Sequence, residues 1–213
     1  MTITRILPAL AVAGVLLAGC ATGPGDAPDS SGSGGDAVTV DFSTPIAALG
    51  EVAGQGTVIQ TGDALPQLCL GAIAESFPPQ CSGPEVTGWD WDTVDGEQTA
   101  GDVTFGAYAV TGTWDGTTFG ATSAITLALY DPMPFVDPLM DEANAGDTDP
   151  AELEKIQTDI DKAKGPNLLG SGIINGYLFV DVLYDDGTLQ SSVDAKYLPD
   201  AVAIRPALKD VEG

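Results

Sequence analysis

Residues 66–91 constrain the fold more than any other stretch of this chain. They read Pro-Gln-Leu-Cys-Leu-Gly, then Phe-Pro-Pro-Gln-Cys-Ser-Gly-Pro, then Gly-Trp-Asp-Trp, and they hold Cys69, Cys81 and two of the three tryptophans, Trp89 and Trp91. A first folded domain is expected to be built around them. Charge narrows the function classes next. The 213 residues carry 31 acidic and 7 basic side chains and no histidine, a formal net charge of −24. Apart from Arg5, every basic residue comes late: Lys155, Lys162, Lys164, Lys196, Arg205 and Lys209. Such a surface repels phosphate backbones, and nucleic-acid binding, which needs clustered Lys and Arg to release counterions, is excluded. The acidity attracts cations or a basic partner, or serves solubility alone. The apolar fraction is ordinary and allows a packed core.

The start of the chain says where the protein goes. Arg5 and the terminal amine form a short positive region, followed by an apolar run at residues 6–17. That run is shorter than the ~20 residues a spanning helix needs, and it ends in Leu17-Ala18-Gly19-Cys20. The tetrapeptide resembles the lipobox of bacterial lipoproteins. The resemblance implies a signal peptide at residues 1–19, cleavage between Gly19 and Cys20, and a diacylglycerol thioether on Cys20. Two acyl chains hold a protein stably on a membrane, and the leader is left out of fold reasoning. Residues 21–37 are rich in Gly, Ser, Pro and Asp. With Cys20 they form a lipidated, flexible tether, whose root-mean-square reach is ~20–25 Å.

With Cys20 taken by lipid, Cys69 and Cys81 remain, in an oxidising context that favours a disulfide. The loop between them contains Phe77-Pro78-Pro79, and closing a loop of that size is worth roughly 3 kcal/mol. A redox pair or a metal site is the alternative, but the spacing is not Cys-x-x-Cys and no histidine completes a metal set.

Residues 38–130 read as all-β. Residues 38–42 alternate, residues 45–52 suit one or two helical turns, and strands are expected at 56–60, around 68–74 and at 86–91. Residues 105–113 alternate, with Phe105, Ala107, Ala109 and Thr111 on one face and Tyr108 and Val110 on the other. Asp115-Gly116 between two β runs marks a hairpin, and residues 119–129 return as the last strand. Many short strands suggest a small five-stranded, OB-like barrel. On a strand, Trp89 and Trp91 share a face. With Trp114 they are candidates for stacking on a ligand; otherwise the indoles cover the disulfide and cap the barrel. Asp90, Asp92, Asp95 and Glu97 are a calcium candidate, although an EF-hand register from Asp90 places Val94 fifth and Asp95 sixth and misses by one residue.

An acidic connector, residues 131–148, carries Met133, Phe135, Val136, Leu139 and Met140, which are expected to pack it onto a neighbouring domain. Residues 149–213 then read as a small two-layer α+β domain, so the whole is α+β. Asp149 is a good N-cap, Pro150 suits the first helical position and Glu152 completes a capping box. Leu153, Ile156, Ile160 and Ala163 form an apolar helical face, and Gly165-Pro166 ends the helix. Residues 177–184 read as a central strand, apolar on both faces. Residues 188–197 suit a helix capped by Thr188 more than a hairpin strand, and residues 201–204 are the next strand.

Leu68-Cys69-Leu70-Gly71, the segment from Pro78 through Cys81 to Pro84, Gly88-Trp89-Asp90-Trp91 and Gly112-Thr113-Trp114-Asp115-Gly116 resemble uncharacterised secreted lipoproteins of high-GC Gram-positive bacteria. The stretches from Val180 to Tyr197 and on to Leu208 are similar to the C-terminal region of related exported proteins. The resemblance implies export and a paired Cys69–Cys81; it brings no catalytic residues. Without histidine, a Ser-His-Asp set or a His-based metal site is ruled out, and no carboxylate pair stands out. The expectation is therefore a non-catalytic protein without a cofactor. It would be held on the extracytoplasmic face of the cell membrane through Cys20 and would bind an envelope ligand or protein. The alternatives are docking on a basic envelope partner or calcium-dependent binding.

Overall fold

The longest strands organise the first half of the fold. In this computed structural model, which describes residues 38–131 and 136–211, strand β1 spans Glu51–Thr61 and strand β5 spans Val103–Trp114. They pair antiparallel along their whole length, from Glu51 opposite Thr113 to Thr61 opposite Val103. Strand β5 alternates as its sequence requires. Tyr108, Val110 and Trp114 are buried in one core, while Phe105, of opposite parity, lies in another beside Cys69. The Asp115-Gly116 hairpin forms as expected. Asp115 Oδ1 accepts from the backbone N–H groups of Thr117 and Thr118 at 2.8 and 2.7 Å, and strand β6, Thr118–Thr126, runs back along β5.

Three short strands complete this layer: β2 at Gln67–Cys69, β3 at Glu85–Thr87 and β4 at Gln98–Ala100. Strand β2 pairs antiparallel with both β1 and β3, and β3 runs parallel to β6. Pairing therefore passes from β1 through β2, β3, β6 and β5 and returns to β1. Strand β4 and a C-terminal strand described below extend it, so the sheet has seven strands where five were expected.

The second layer starts from helix α1, Pro150–Ala163. Asp149 caps it by accepting from Ala151 N, and Pro150 sits in its first turn. Glu152 pairs with Lys155 at 2.9 Å instead of closing a capping box. Leu153, Ile156 and Ile160 are buried as expected, and Ala163 is exposed. Strands β7, Leu168–Ile174, and β8, Tyr177–Val182, form a hairpin over Asn175-Gly176, whose φ angles of 51° and 80° suit a tight primed turn. Helix α2, Thr188–Lys196, follows. Its first N–H groups bond to Asp185 and Asp186, which take the role expected of Thr188. Strand β9, Val202–Pro206, runs parallel to β8, which makes β8 the central strand of a three-stranded sheet. The α+β expectation holds.

Both ends of the described chain cross the expected boundary between residues 38–130 and 149–213. Strand β10, Lys209–Asp210, pairs with β1, and Leu183, Tyr184 and Leu208 join the core of the large sheet. In the other direction, Val40 and Phe42 bury themselves among Leu153, Ile156, Leu178 and Val180. Residues 38–42 alternate as read, but they form no strand; their apolar side chains are extended against α1 and β8. The described residues, 38–131 and 136–211, belong to one compact unit.

Other expectations are corrected locally. Residues 45–50 form no helix, because β1 already begins at Glu51. Strand β3 stops at Thr87, and Trp91–Thr93 is a 3-10 turn capped by Asp90. The connector is held by polar bonds. Asn175 Nδ2 donates to the carbonyls of Leu139 and Asp141, both at 2.8 Å, and Tyr177 OH donates to Asn144 O at 2.8 Å. Val136 and Met140, expected to pack, are 75% and 45% exposed. Gly19, Cys20, the signal peptide, the tether, Met133 and Phe135 lie outside the described residues.

Candidate functional site

The tryptophans expected to stack on a ligand turn towards the core. Trp89 and Trp91 meet edge to face at 5.3 Å, and Trp89 stands 5.0 Å from Tyr108. Trp91 Nε1 donates to Gln60 Oε1. Trp114 is 2% exposed. Nor do the indoles cover the disulfide. Cys69 and Cys81 are bonded, with their Cα atoms 6.0 Å apart, and Cys69 packs with Ile59 and Phe105 in a separate cluster. Phe77, on the loop they close, stands edge-on to Phe105 at 5.7 Å.

Of the calcium candidates, Asp90 and Asp92 lie on the 3-10 turn at Trp91–Thr93. Asp90 spends its carboxylate on a turn, accepting from Asp92 N at 3.0 Å. Among the described residues no three acidic or thiol side chains converge as a metal site. What Asp95 and Glu97 do is electrostatic. Burial pushes the Tyr108 phenol up to about 12, and the charges of Glu97 and then Asp95 add to that. Burial and the hydrogen bond to Asp210 raise Tyr184 to about 12 as well. A folded pKa above the unfolded value of ~10 means that the folded state holds the proton more tightly. The stability these phenols contribute is complete below pH ~10 and is lost as pH rises through about 12. Alkaline unfolding, followed by phenolate absorbance, is expected to move to higher pH in Tyr108→Phe; an unmoved midpoint would refute the assignment.

A cleft of about 880 Å³ lies where the large sheet meets the α+β layer. One wall is the irregular segment after the disulfide loop: Gln80, Cys81, Ser82, Gly83 and Pro84. This segment can lie flat on β2 only because residue 83 is glycine. A Cβ there would stand 1.8 Å from Leu68 O. A second wall is the β5–β6 turn, with Gly116 and Thr117 beside the largely buried Trp114. The third comes from Gly165, Pro166, Leu168, Leu169 and Leu183, and Ser43 and Pro45 close one end. Gly165 sits against the backbone of Phe42, where a Cβ would meet Phe42 O at 2.1 Å. The wall carrying Ser43 is thus locked to the end of α1.

The lining holds no charged side chain, in a chain with 31 acidic residues. Its polar groups are neutral hydroxyls and an amide, from Ser43, Ser82, Thr117 and Gln80; its apolar surface comes from leucines and prolines, with Trp114 almost wholly buried behind them. Ligand sites commonly combine apolar walls with a few convergent polar groups. A second cleft, of about 840 Å³, is acidic instead, lined by Asp147, Asp149, Asp194 and Asp200. Two of these already have structural work, since Asp149 caps α1 and Asp194 accepts from Gln190 Nε2. The uncharged cleft was not read from the sequence. Its walls come from separate Gly-, Pro- and Ser-rich segments, each of which reads alone as a loop. No protein-family model, no curated protein and no solved structure matches this chain.

Proposed function

We propose that the protein is an exported lipoprotein of the bacterial cell envelope, similar to those of high-GC Gram-positive bacteria. It is held on the extracytoplasmic face of the membrane by lipid on Cys20 and acts as a non-catalytic ligand-binding module. The observation that carries the binding reading is the wholly uncharged cleft in a strongly acidic chain. Random surface concavities of such a chain would be expected to carry carboxylates. The finer fold reading, an OB-like curl of the large sheet, is supported by the pairing circuit from β1 through β2, β3, β6 and β5 back to β1. The non-catalytic reading is supported by the lack of histidine and by the bonding of Cys69 to Cys81.

Two experiments test this. Cys20→Ala is expected to move the protein out of the membrane fraction or leave its leader uncleaved; unchanged retention would sink the lipobox reading. For the site, a thermal-shift panel of neutral, anionic and cationic ligands and of basic proteins is run on the full chain and on Ser82→Trp, which fills the cleft from an exposed rim position. A ligand at ~100 times its dissociation constant stabilises by about 2.7 kcal/mol. At least one neutral ligand is expected to raise the melting temperature of the wild type and not of Ser82→Trp. A panel in which only basic proteins stabilise, equally in both, would move the function to docking on a basic partner. That is the reading favoured by the net charge of −24.

A further inference from the structure

We infer that the cleft takes an extended, uncharged peptide segment of another protein, with a branched apolar side chain seated on Leu168, Leu169 and Leu183. This rests on the cleft being the ligand site. Four ligand chemistries compete for it, and the lining separates them. A charged group entering the cleft would lose its water and meet no counter-charge, because no charged side chain lines it. Carboxylates, phosphates and ammonium groups are therefore kept out of the buried part. A hydrocarbon chain would cover Ser82, Thr117 and Gln80 without offering them a hydrogen bond, which buried polar groups do not tolerate well. A glycan is commonly held on an open aromatic face. Here Trp114 is 2% exposed, and Trp89 and Trp91 do not line the cleft and pack on Tyr108.

A neutral peptide meets both halves of the lining at once. Its amides can pair with the hydroxyls and with Gln80, while an apolar side chain fills the leucine floor. The rim points the same way. The disulfide-closed loop, which supplies Gly71, Ala72 and Gln80 to the cleft, also exposes Ile73 at 40% and Phe77 at 71%. A loop that feeds the cleft and also exposes apolar side chains offers a chain longer than the cleft further places to pack. The protein's own tether is a poor occupant. Residues 21–37 contain Asp26, Asp29 and Asp36 and no side chain to fill the leucine floor beyond alanine and proline.

The test uses the full-length chain in neutral detergent. The probes are N-acetylated, C-amidated hexapeptides composed of Leu, Ile, Pro, Ser, Thr and Gly; the same peptides with a central Lys or Glu; a monoacylglycerol; and a neutral oligosaccharide. Affinity is read by calorimetry, and folding of each variant by its melting temperature. Neutral peptides are expected to bind. A central charge of either sign should weaken them at least tenfold, and so should Ser82→Trp or Thr117→Trp, two exposed rim positions on opposite walls. Charged peptides binding as tightly as neutral ones would overturn the inference, as would neutral peptides failing to bind. If the monoacylglycerol or the oligosaccharide binds and Ser82→Trp abolishes it, the cleft remains the ligand site and the peptide class falls. If peptides bind both tryptophan variants as tightly as they bind the wild type, the cleft itself falls.

Discussion

Phe42→Ala is expected to destabilise the protein by about 3–5 kcal/mol, the usual cost of deleting a fully buried phenylalanine ring. Phe42 has no exposed surface and sits among Leu153, Ile156, Ile160 and Leu178. Its carbonyl accepts from Asn167 N at 3.2 Å, and Gly165 packs directly on its backbone. The residue therefore joins the segment entering the large sheet to the far end of α1. The tryptophans make the consequence measurable. Trp89, Trp91 and Trp114 all report on the core of the large sheet, whereas Phe42 lies in the other core. In guanidinium, the tryptophan fluorescence of Phe42→Ala is expected to lose its midpoint together with the far-UV circular dichroism. Cores coupled through Phe42, Leu183, Tyr184 and Leu208 unfold as one cooperative unit. A fluorescence midpoint that stays in place while the helical signal is lost would show two independent units, divided as the sequence alone suggests.

What could be read ahead of the structure follows the range of the interactions involved. The β5–β6 hairpin was legible because Asp115-Gly116 and its flanking alternation are local. So was α1, because Asp149 and Pro150 mark its start within two residues. Strand β8 was legible from its apolar run, interrupted only by Asp181, which suits a central strand. Strand β7 was missed. Its Gly-Ser-Gly centre has weak strand propensity, although Asn175-Gly176 beside an apolar run was a usable hairpin signal. Residues 38–42 show how a correct pattern can mislead. Their period of two does bury Val40 and Phe42, but the partner that buries them lies more than a hundred residues later in α1 and β8. The Trp-Asp-Trp segment reads as a strand by the same period, yet Asp90 satisfies the Asp92 N–H locally and turns the chain instead. The cleft was the least legible feature, since its neutrality exists only after residues 43–45, 80–84, 116–117 and 165–169 have been brought together.

Removing the disulfide through Cys81→Ser is expected to cost roughly 3 kcal/mol, the loop-closure entropy of a segment of this length. The structure explains why so little else would compensate. Strand β2 is three residues long and carries Cys69, which is 1% exposed. Between the cysteines, the loop is tied to itself only by short-range contacts: one β-bridge, Ala74 with Gln80, and the bonds that Ser76 makes to Ala74 O, Pro78 O and Gln80. Cys81 also anchors the Gln80–Pro84 wall of the cleft, so the variant should lose ligand affinity along with stability. The check is a urea titration of three samples: the wild type, the wild type under a dithiol reductant, and Cys81→Ser. The reduced wild type and the variant are expected to share one lower midpoint, with a slope no smaller than that of the oxidised wild type, because the unfolded chain without the crosslink exposes at least as much surface. A variant midpoint equal to that of the oxidised wild type would mean that the bond holds no folding free energy. In that case the packing of Cys69 against Ile59 and Phe105 would be sufficient on its own to keep β2 in the sheet.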